Sequence, residues 1–368
     1  MSDLQPVRRA LISVSDKTGL ETFIPALLDA CPGLRIFSTG GTYGKIQSIL
    51  GDAAEGHLTQ VSDYTGQPET QARLMNTIGK VYRNLGLFEQ AVPQLEAALA
   101  LRREGTVEDE LHLAENLADL GDLYIDLGHY PEAEMVIREA LDILEGHGRD
   151  ASLELAGSLN ELAKVQRREG RYDEAEALYL RARNIRIRIL GEDDPEVARS
   201  YNSLAILNWQ RANYDEAERL YNKAIQIWRK AYGNDHSDVA KGLNNLALLY
   251  HHLDRHEEAR KLYEKAIVIY EKVLGPEHTR LATALNNLGL VHYEQGNLDM
   301  AQPYYNRALE IREKALGPDH PVVAQTLNNL ANVKRDQGRY EEAAELYRRA
   351  LTIRREAYRG EHTDQAWT

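Results

Sequence analysis

The sequence predicts a mainly α-helical protein of seven repeated helix pairs, preceded by a short α/β segment. Two patterns with the same 42-residue period carry this prediction. One is an alanine, usually in a Tyr-x-Glu-Ala-like string, and it occurs at Ala91, Ala133, Ala175, Ala217, Ala259, Ala301 and Ala343. The other is a small residue twelve positions earlier, at Gly79, Gly121, Ala163, Ala205, Ala247, Gly289 and Ala331. Self-similarity at a fixed period of this length is typical of repeat architectures.

Apolar residues around each small residue follow a helical period. Leu243, Leu246, Ala247 and Tyr250 are spaced three or four positions apart, as on one face of a helix. The small residues are expected where two helices approach closely. A turn residue that takes positive φ is expected between the helices of a pair, at Gly86, Gly128, Gly170, Gly296 and Gly338, with Ala212 and Asp254 in its place twice.

Loops between the pairs combine a glycine that ends one helix with residues that cap the next. The strings GEDDP, GNDHS, GPEHT and GPDHP begin at Gly191, Gly233, Gly275 and Gly317. A histidine recurs at this part of the repeat, at His236, His278, His320 and His362. Because one repeat separates each histidine from the next, we expect them to cap helices rather than to bind a metal.

The strings LNNLALLY, YEKAIVIYEKVLGPEH and ALEIREKALGPDHPVVAQTLNNLA resemble the 42-residue tetratricopeptide repeats of kinesin light chains and their bacterial relatives. This resemblance covers residues 72–358. It implies a right-handed α-solenoid in which the first helix of each pair lines a concave groove. It also implies that asparagines two positions before the small residue hydrogen-bond the backbone of an extended peptide, a position that Asn245, Asn287 and Asn329 match.

An adjoining row of asparagines is expected on the same side. It comprises Asn202, Asn244 and Asn286, with Asn160 and Asn328 at its ends. An amide both donates and accepts hydrogen bonds, so a row of amides suits a peptide backbone whatever its side chains. The alternative is that these amides satisfy contacts between helices.

Basic residues on the predicted groove side favour an acidic ligand. The candidates are Lys164, Arg167, Arg199 and Lys241. Such side chains would attract acidic peptide segments, and arginine binds carboxylates with two hydrogen bonds. The alternative is an ordinary solvated helix face.

The first seventy residues follow a different pattern. The apolar runs ALISV, LRIFS and HLTQV alternate with helical stretches, which predicts β-α-β-α-β. The junctions SDKTG and STGGT offer backbone N–H groups and hydroxyls that suit phosphate. With VSDYTGQPE, they make residues 7–69 resemble the start of the IMP cyclohydrolase domain, a methylglyoxal-synthase-like fold.

That second resemblance implies contacts with a nucleotide or another phosphate. The residues concerned are Ser15, Lys17, Thr18, Ser38, Gly40, Gly41 and Thr42. The related enzymes continue into further strands with catalytic residues, whereas residues 70–72 here lead directly into the first repeat. We therefore expect two domains, a truncated α/β segment at 1–70 and a solenoid at 71–368, and no enzyme activity.

Composition excludes several classes of partner. Lys and Arg number 44 against 57 Asp and Glu, a net charge of -13, which argues against general affinity for nucleic acid or an anionic membrane. Cys31 is the only cysteine, as a reducing cytoplasm permits. His251, His252 and His256 cluster at one helix end, where surface or groove-facing imidazoles are favoured over a zinc or nickel site.

We therefore expect a cytoplasmic, non-enzymatic scaffold without cofactor or metal. Its concave groove would bind an extended, acidic peptide segment of a protein partner. The alternative is a nucleotide- or phosphate-binding regulatory protein. The last helix pair lacks an obvious polar capping helix, which leaves self-association at that end open.

Overall fold

A computed structural model gives the fold. It describes residues 9–12, 21, 24–25, 28, 35–38, 40–51, 58–60, 68–84, 87–103, 110–148 and 152–364. Packing divides the chain into two compact units, Met1–His147 and Gly148–Thr368. The predicted domain boundary at residue 70 lies inside the first unit and stays a prediction from the sequence. Within the described ranges, no helix combines the length and the apolar character that crossing a membrane requires.

The first unit begins with a small parallel sheet. Its strands are β1 (Arg9–Ile12), β2 (Arg35–Ser38) and β3 (Leu58–Gln60), in that order. Helix α1 (Gly40–Leu50) follows β2 and contacts both β2 and β3. Ile36 of β2 and Ile46 of α1 are fully buried.

Two helix pairs complete the first unit. Their helices are α2 (Pro68–Asn84), α3 (Phe88–Arg103), α4 (Glu110–Leu127) and α5 (Tyr130–Gly146). A Cβ atom added to Gly79 of α2 would lie 2.6 Å from Cδ2 of Leu95 of α3. Glycine is therefore needed there because the two helices approach too closely for a side chain.

The second unit contains five helix pairs in residues 152–364. They are α6 (Leu153–Arg168), α7 (Tyr172–Leu190), α8 (Pro195–Gln210), α9 (Tyr214–Tyr232), α10 (Ser237–His252), α11 (His256–Leu274), α12 (Thr279–Glu294), α13 (Leu298–Leu316), α14 (Pro321–Asp336) and α15 (Tyr340–Asp364). We call the even-numbered helices from α2 to α14 first helices, and the odd-numbered helices from α3 to α15 second helices.

The helices of the second unit stack as the predicted solenoid. Each first helix packs on its second helix, and each second helix packs on the first helix of the next pair. Helix α12 also contacts α10 and α14, whereas no two successive second helices in these residues make comparable contact. The first helices therefore lie on the inner, more closely spaced side of this unit.

One apolar core runs through the second unit from Ala163 to Ile311. The small repeat residues Ala163, Ala205 and Ala247 are fully buried in it. Large side chains at the same interval fill the space beside them, and these are Tyr179, Tyr221 and Tyr263. Tyr305, one interval further on, is buried in a separate apolar cluster. A solenoid buries its apolar surface between neighbouring repeats in this way.

The predicted histidine caps are confirmed at three of the four positions. Nδ1 of His236, His278 and His320 accepts a hydrogen bond from the backbone N–H two residues later, at 3.2, 3.1 and 3.2 Å. The prediction is wrong for His362, which lies inside α15. Gly360 and His362 are both helical there, so no helix starts at the residue after His362.

The described turn residues within the pairs also take the predicted conformation, whereas Gly86 lies outside the described residues. Gly170 has a φ of 80°, and the two residues that replace glycine, Ala212 and Asp254, have φ values of 60° and 56°. Positive φ is unfavourable for a residue with a Cβ atom. These two turns therefore hold local strain that the surrounding helices balance.

Candidate functional site on the inner face

The candidate site is the surface of the first helices in the second unit. We call it the inner face, and it comprises the exposed and half-buried side chains of α6, α8, α10, α12 and α14. A spacing of 43 residues, one repeat plus one position, joins neighbouring first helices there. The side chains of Asn245 and Asn202, which are 43 residues apart, form a hydrogen bond, and so do those of Tyr293 and Asp336.

Asparagines form hydrogen bonds across the inner face. Nδ2 of Asn245 donates to Oδ1 of Asn202 at 3.0 Å, and Nδ2 of Asn329 donates to Oδ1 of Asn286 at 3.1 Å. Both acceptor residues are only 3% exposed. Contacts between helices therefore occupy one N–H of each donor amide. Oδ1 of Asn245 and of Asn329 accepts no hydrogen bond from the other described residues.

The middle pair of the same row behaves differently. Asn287 and Asn244 have the same spacing, yet no hydrogen bond joins their side chains in the described structure. Oδ1 of Asn244 is buried without a partner among the described residues. Asn287 is half-buried. Its amide is therefore not engaged in the contact that orients Asn245 and Asn329.

Three of the four predicted basic residues already have polar partners within the chain. Lys164 forms an ion pair with Glu161 at 2.6 Å. Arg167 donates to Oε1 of Gln210 at 2.8 Å. Arg199 pairs with Glu196 at 2.6 Å, and a second carboxylate, that of Asp238, lies 3.6 Å away. These contacts neutralise part of the positive charge that the sequence predicts for the groove.

Lys241 on α10 is the exception. It is half-buried, and no carboxylate of the described residues lies within ion-pair distance of its Nζ. Burial lowers the pKa of Lys241, Asp238 opposes this change, and the positive charges of Arg280 and Arg199 add to it. The inner face therefore holds a desolvated ammonium group beside other cations, which is a favourable place for an anion.

Arg280 is a member of this group that the sequence reasoning missed. It lies on α12, and its positive charge acts on Lys241. A spacing of 39 residues separates the two, and the same spacing separates Arg199 from Asp238, which are in contact. The 39-residue spacing is the sequence signal that could have identified Arg280.

The predicted phosphate-binding residues are only partly described. Ser15, Lys17 and Thr18 lie outside the described residues. Ser38 is the last residue of β2, and Gly40, Gly41 and Thr42 form the first turn of α1. They therefore stand where a parallel strand leads into a helix, the type of junction that the sequence indicates.

Family comparison identifies the repeats. A tetratricopeptide repeat model matches residues 70–146, 154–230, 204–272, 238–314 and 280–356, and a second one matches residues 118–189. The chain therefore belongs to the tetratricopeptide repeat family. The matched residues begin at 70, so they give no support to the resemblance of residues 7–69 to the IMP cyclohydrolase domain.

The solved structures to which the chain is similar include the following three. BtubC (BKLC) from P. vanneervenii is 25% identical over 69% of this chain and 93% of its own, with a TM-score of 0.51. A Podosopora anserina putative kinesin light chain is 24% identical over 55% of this chain and 95% of its own, at 0.47. The Rap conjugation gene regulator of the plasmid pLS20, solved in complex with a peptide, is 17% identical over 92% and 90%, at 0.60.

Proposed function

We propose that this protein is an interaction scaffold whose inner face binds an extended, acidic segment of a protein partner. Binding is the whole activity, with no catalytic step. The observation that carries the proposal is Lys241, a half-buried ammonium group without a carboxylate partner among the described residues, beside Arg199 and Arg280. A ligand carboxylate would supply the missing partner.

The local charge balance supports an anionic ligand. Four cations meet there: Lys164, Arg199, Lys241 and Arg280. Among the described residues, ion pairs join Lys164 to Glu161 and Arg199 to Glu196 and Asp238, whereas Lys241 and Arg280 form none. A partly buried charge without a counterion is unfavourable, and a charge-assisted hydrogen bond to a carboxylate relieves it. Specificity for acidic segments follows although the chain as a whole is negative.

The amides support a ligand with an extended backbone. Asn245, Asn287 and Asn329 lie at one position of three successive first helices, and each keeps hydrogen-bonding capacity that the helix contacts do not use. An extended peptide presents its backbone N–H and C=O groups at regular intervals, and a row of amides suits such groups. The Rap regulator, which shares this fold, is known in complex with a peptide, so the fold has room for such a ligand.

A peptide titration tests the proposal. Fluorescent peptides rich in Asp and Glu are compared with versions in which Asn and Gln replace those residues, using fluorescence anisotropy. The full-length chain should bind the acidic peptides more tightly. Lys241→Met should remove about 2 kcal/mol of binding free energy, roughly a 30-fold loss of affinity, because a charge-assisted hydrogen bond disappears.

Lys265→Met is the matched control. Lys265 lies exposed on the second helix α11 of the same repeat, so the variant makes the same change of charge away from the inner face. Its affinity should equal that of the unchanged chain. Equal losses in both variants, or equal binding of acidic and amide peptides, would refute the proposal.

The alternative function is nucleotide or phosphate binding by the N-terminal segment. The observation behind it is the strand-to-helix junction of Ser38 and Gly40. Titrating purine nucleotides against the same protein distinguishes the two functions. If the peptide proposal is correct, the protein shows no saturable nucleotide binding. We also propose a cytoplasmic location, since the sole cysteine fits a reducing compartment.

Self-association through the last helix pair is a further part of the proposal. Leu351 of α15 is 48% exposed, whereas Ile225 and Ile267, which occupy its position in earlier pairs, are 3% and 8% exposed. In those pairs the following repeat covers the position. A second copy of the chain would cover Leu351 in the same way.

A further inference from the structure

Three potential metal ligands meet at one end of the first helices. His251 lies in the last turn of α10, His256 is the first residue of α11, and Glu294 is the last residue of α12. Nε2 of His251 and Oε2 of Glu294 are 2.6 Å apart, and the centroids of the two imidazole rings are 5.7 Å apart. One ligand atom from each residue lies within 4.8 Å of the other two.

The hydrogen bonds of this cluster are incomplete. Nδ1 of His256 is buried and has no hydrogen-bond partner among the described residues. Its other ring nitrogen, Nε2, lies 3.9 Å from Oδ1 of Asp254. When the proton of a neutral imidazole is on the outer nitrogen, the inner nitrogen presents a lone pair. A buried lone pair without a hydrogen-bond donor is the state that a metal ion completes.

The pair of histidines His251 and His256 occurs in one repeat and is not part of the repeat pattern. Four of the other second helices begin with tyrosine, at Tyr130, Tyr172, Tyr214 and Tyr340, and the remaining two begin with Phe88 and Leu298. The contact between His251 and Glu294 is replaced elsewhere by ordinary polar pairs, such as Arg167 with Gln210. Only the fifth repeat puts an imidazole at both positions. Neither histidine therefore has a role that the repeat itself requires.

We propose that His251, His256 and Glu294 form a binding site for a divalent transition-metal ion of the zinc class. Two imidazole nitrogens and one carboxylate oxygen suit Zn²⁺, whereas Mg²⁺ and Ca²⁺ prefer sites made of oxygen. Tetrahedral Zn²⁺ holds its ligand atoms about 3.4 Å apart, so small side-chain rotations bring this cluster to that geometry. The sequence alone favoured no metal at these histidines.

The ion would link two adjacent repeats. His251 and His256 belong to the pair α10–α11, and Glu294 belongs to the next pair. Because the three ligands meet only in the folded solenoid, ion binding stabilises the folded state. This proposal does not depend on peptide binding. A fourth coordination position is left for water or for a side chain of a partner.

Calorimetric titration of Zn²⁺ into the full-length chain, first freed of metal with a chelator, tests the site. His256→Tyr introduces the residue that other repeats carry, so this variant is expected to fold. It should bind Zn²⁺ at least about tenfold more weakly, and Glu294→Gln should do the same. Mg²⁺ should not compete with Zn²⁺ in any of these proteins.

His252→Gln is the matched control. His252 adjoins His251 in sequence, yet its Nε2 lies 3.1 Å from the hydroxyl of Tyr214 and it is not part of the cluster. Its Zn²⁺ affinity should equal that of the unchanged chain. Zn²⁺ should also raise the unfolding temperature of the unchanged chain but not that of His256→Tyr. Unchanged Zn²⁺ affinity in His256→Tyr, or an equal loss in His252→Gln, would overturn the proposal.

Discussion

Replacing Asn245 by alanine tests how the inner face is built. The hydrogen bond of 3.0 Å to Asn202 disappears, and Oδ1 of Asn202, a residue that is 3% exposed, loses its donor. An unsatisfied buried acceptor destabilises a protein by about 1–3 kcal/mol. Alanine is also the better helix former, by roughly 0.5 kcal/mol, which offsets part of that loss. We expect a net loss of about 1–2 kcal/mol of unfolding free energy.

Asn287→Ala is the matched variant, since it makes the same change at the same position of the next repeat. Asn287 has no such hydrogen bond to lose, so its unfolding free energy should be unchanged or slightly higher. Urea denaturation followed by circular dichroism measures both variants. The reasoning is refuted if the two variants lose equal stability, or if Asn245→Ala loses none.

Three further predictions follow from the caps, the turns and the last helix. Burial lowers the pKa of His278 and of His320, and their neutral rings accept the cap hydrogen bonds. The stability they contribute is complete above about pH 6.5 and is lost as the pH falls toward their lowered pKa values. In urea denaturation, the unfolding free energy of His320→Asn should therefore depend less on pH than that of the unchanged chain. Ala212→Gly should raise the unfolding free energy by about 0.5–1 kcal/mol, because glycine accepts a φ of 60° without strain, and thermal denaturation should detect it. Leu351→Glu should turn a self-associating chain into a monomer in analytical ultracentrifugation, whereas a monomeric unchanged chain would contradict this expectation.

The repeat pattern predicts the helices of the solenoid well because each signal has a local cause. Small residues mark close helix contacts, and turn residues with positive φ end helices within a few positions. Cap histidines hydrogen-bond backbone groups only two residues away. Such interactions depend only on residues nearby in the sequence, so the local sequence is enough to predict them. The cap prediction is wrong for His362 because this residue lies inside α15, whereas a capping residue stands just before the first turn of a helix.

Contacts between repeats are harder to predict because they depend on how far one pair is displaced against the next. The 42-residue period suggests that equivalent positions face one another, whereas the contacts join residues 43 or 39 apart. Because of this displacement, Asn245 contacts Asn202, Arg199 contacts Asp238 of the next repeat, and Glu294 contacts His251. None of these pairs is visible from a single repeat.

Photo-crosslinking of an acidic peptide tests the central claim most directly. A bound peptide that carries a benzophenone group is irradiated, and the crosslinked residues are identified by mass spectrometry. The proposal predicts crosslinks on the first helices α8, α10 and α12, near Lys241 and Asn287, which Lys241→Met removes. Crosslinks that fall on the second helices α9 and α11, or that persist unchanged in Lys241→Met, would contradict it.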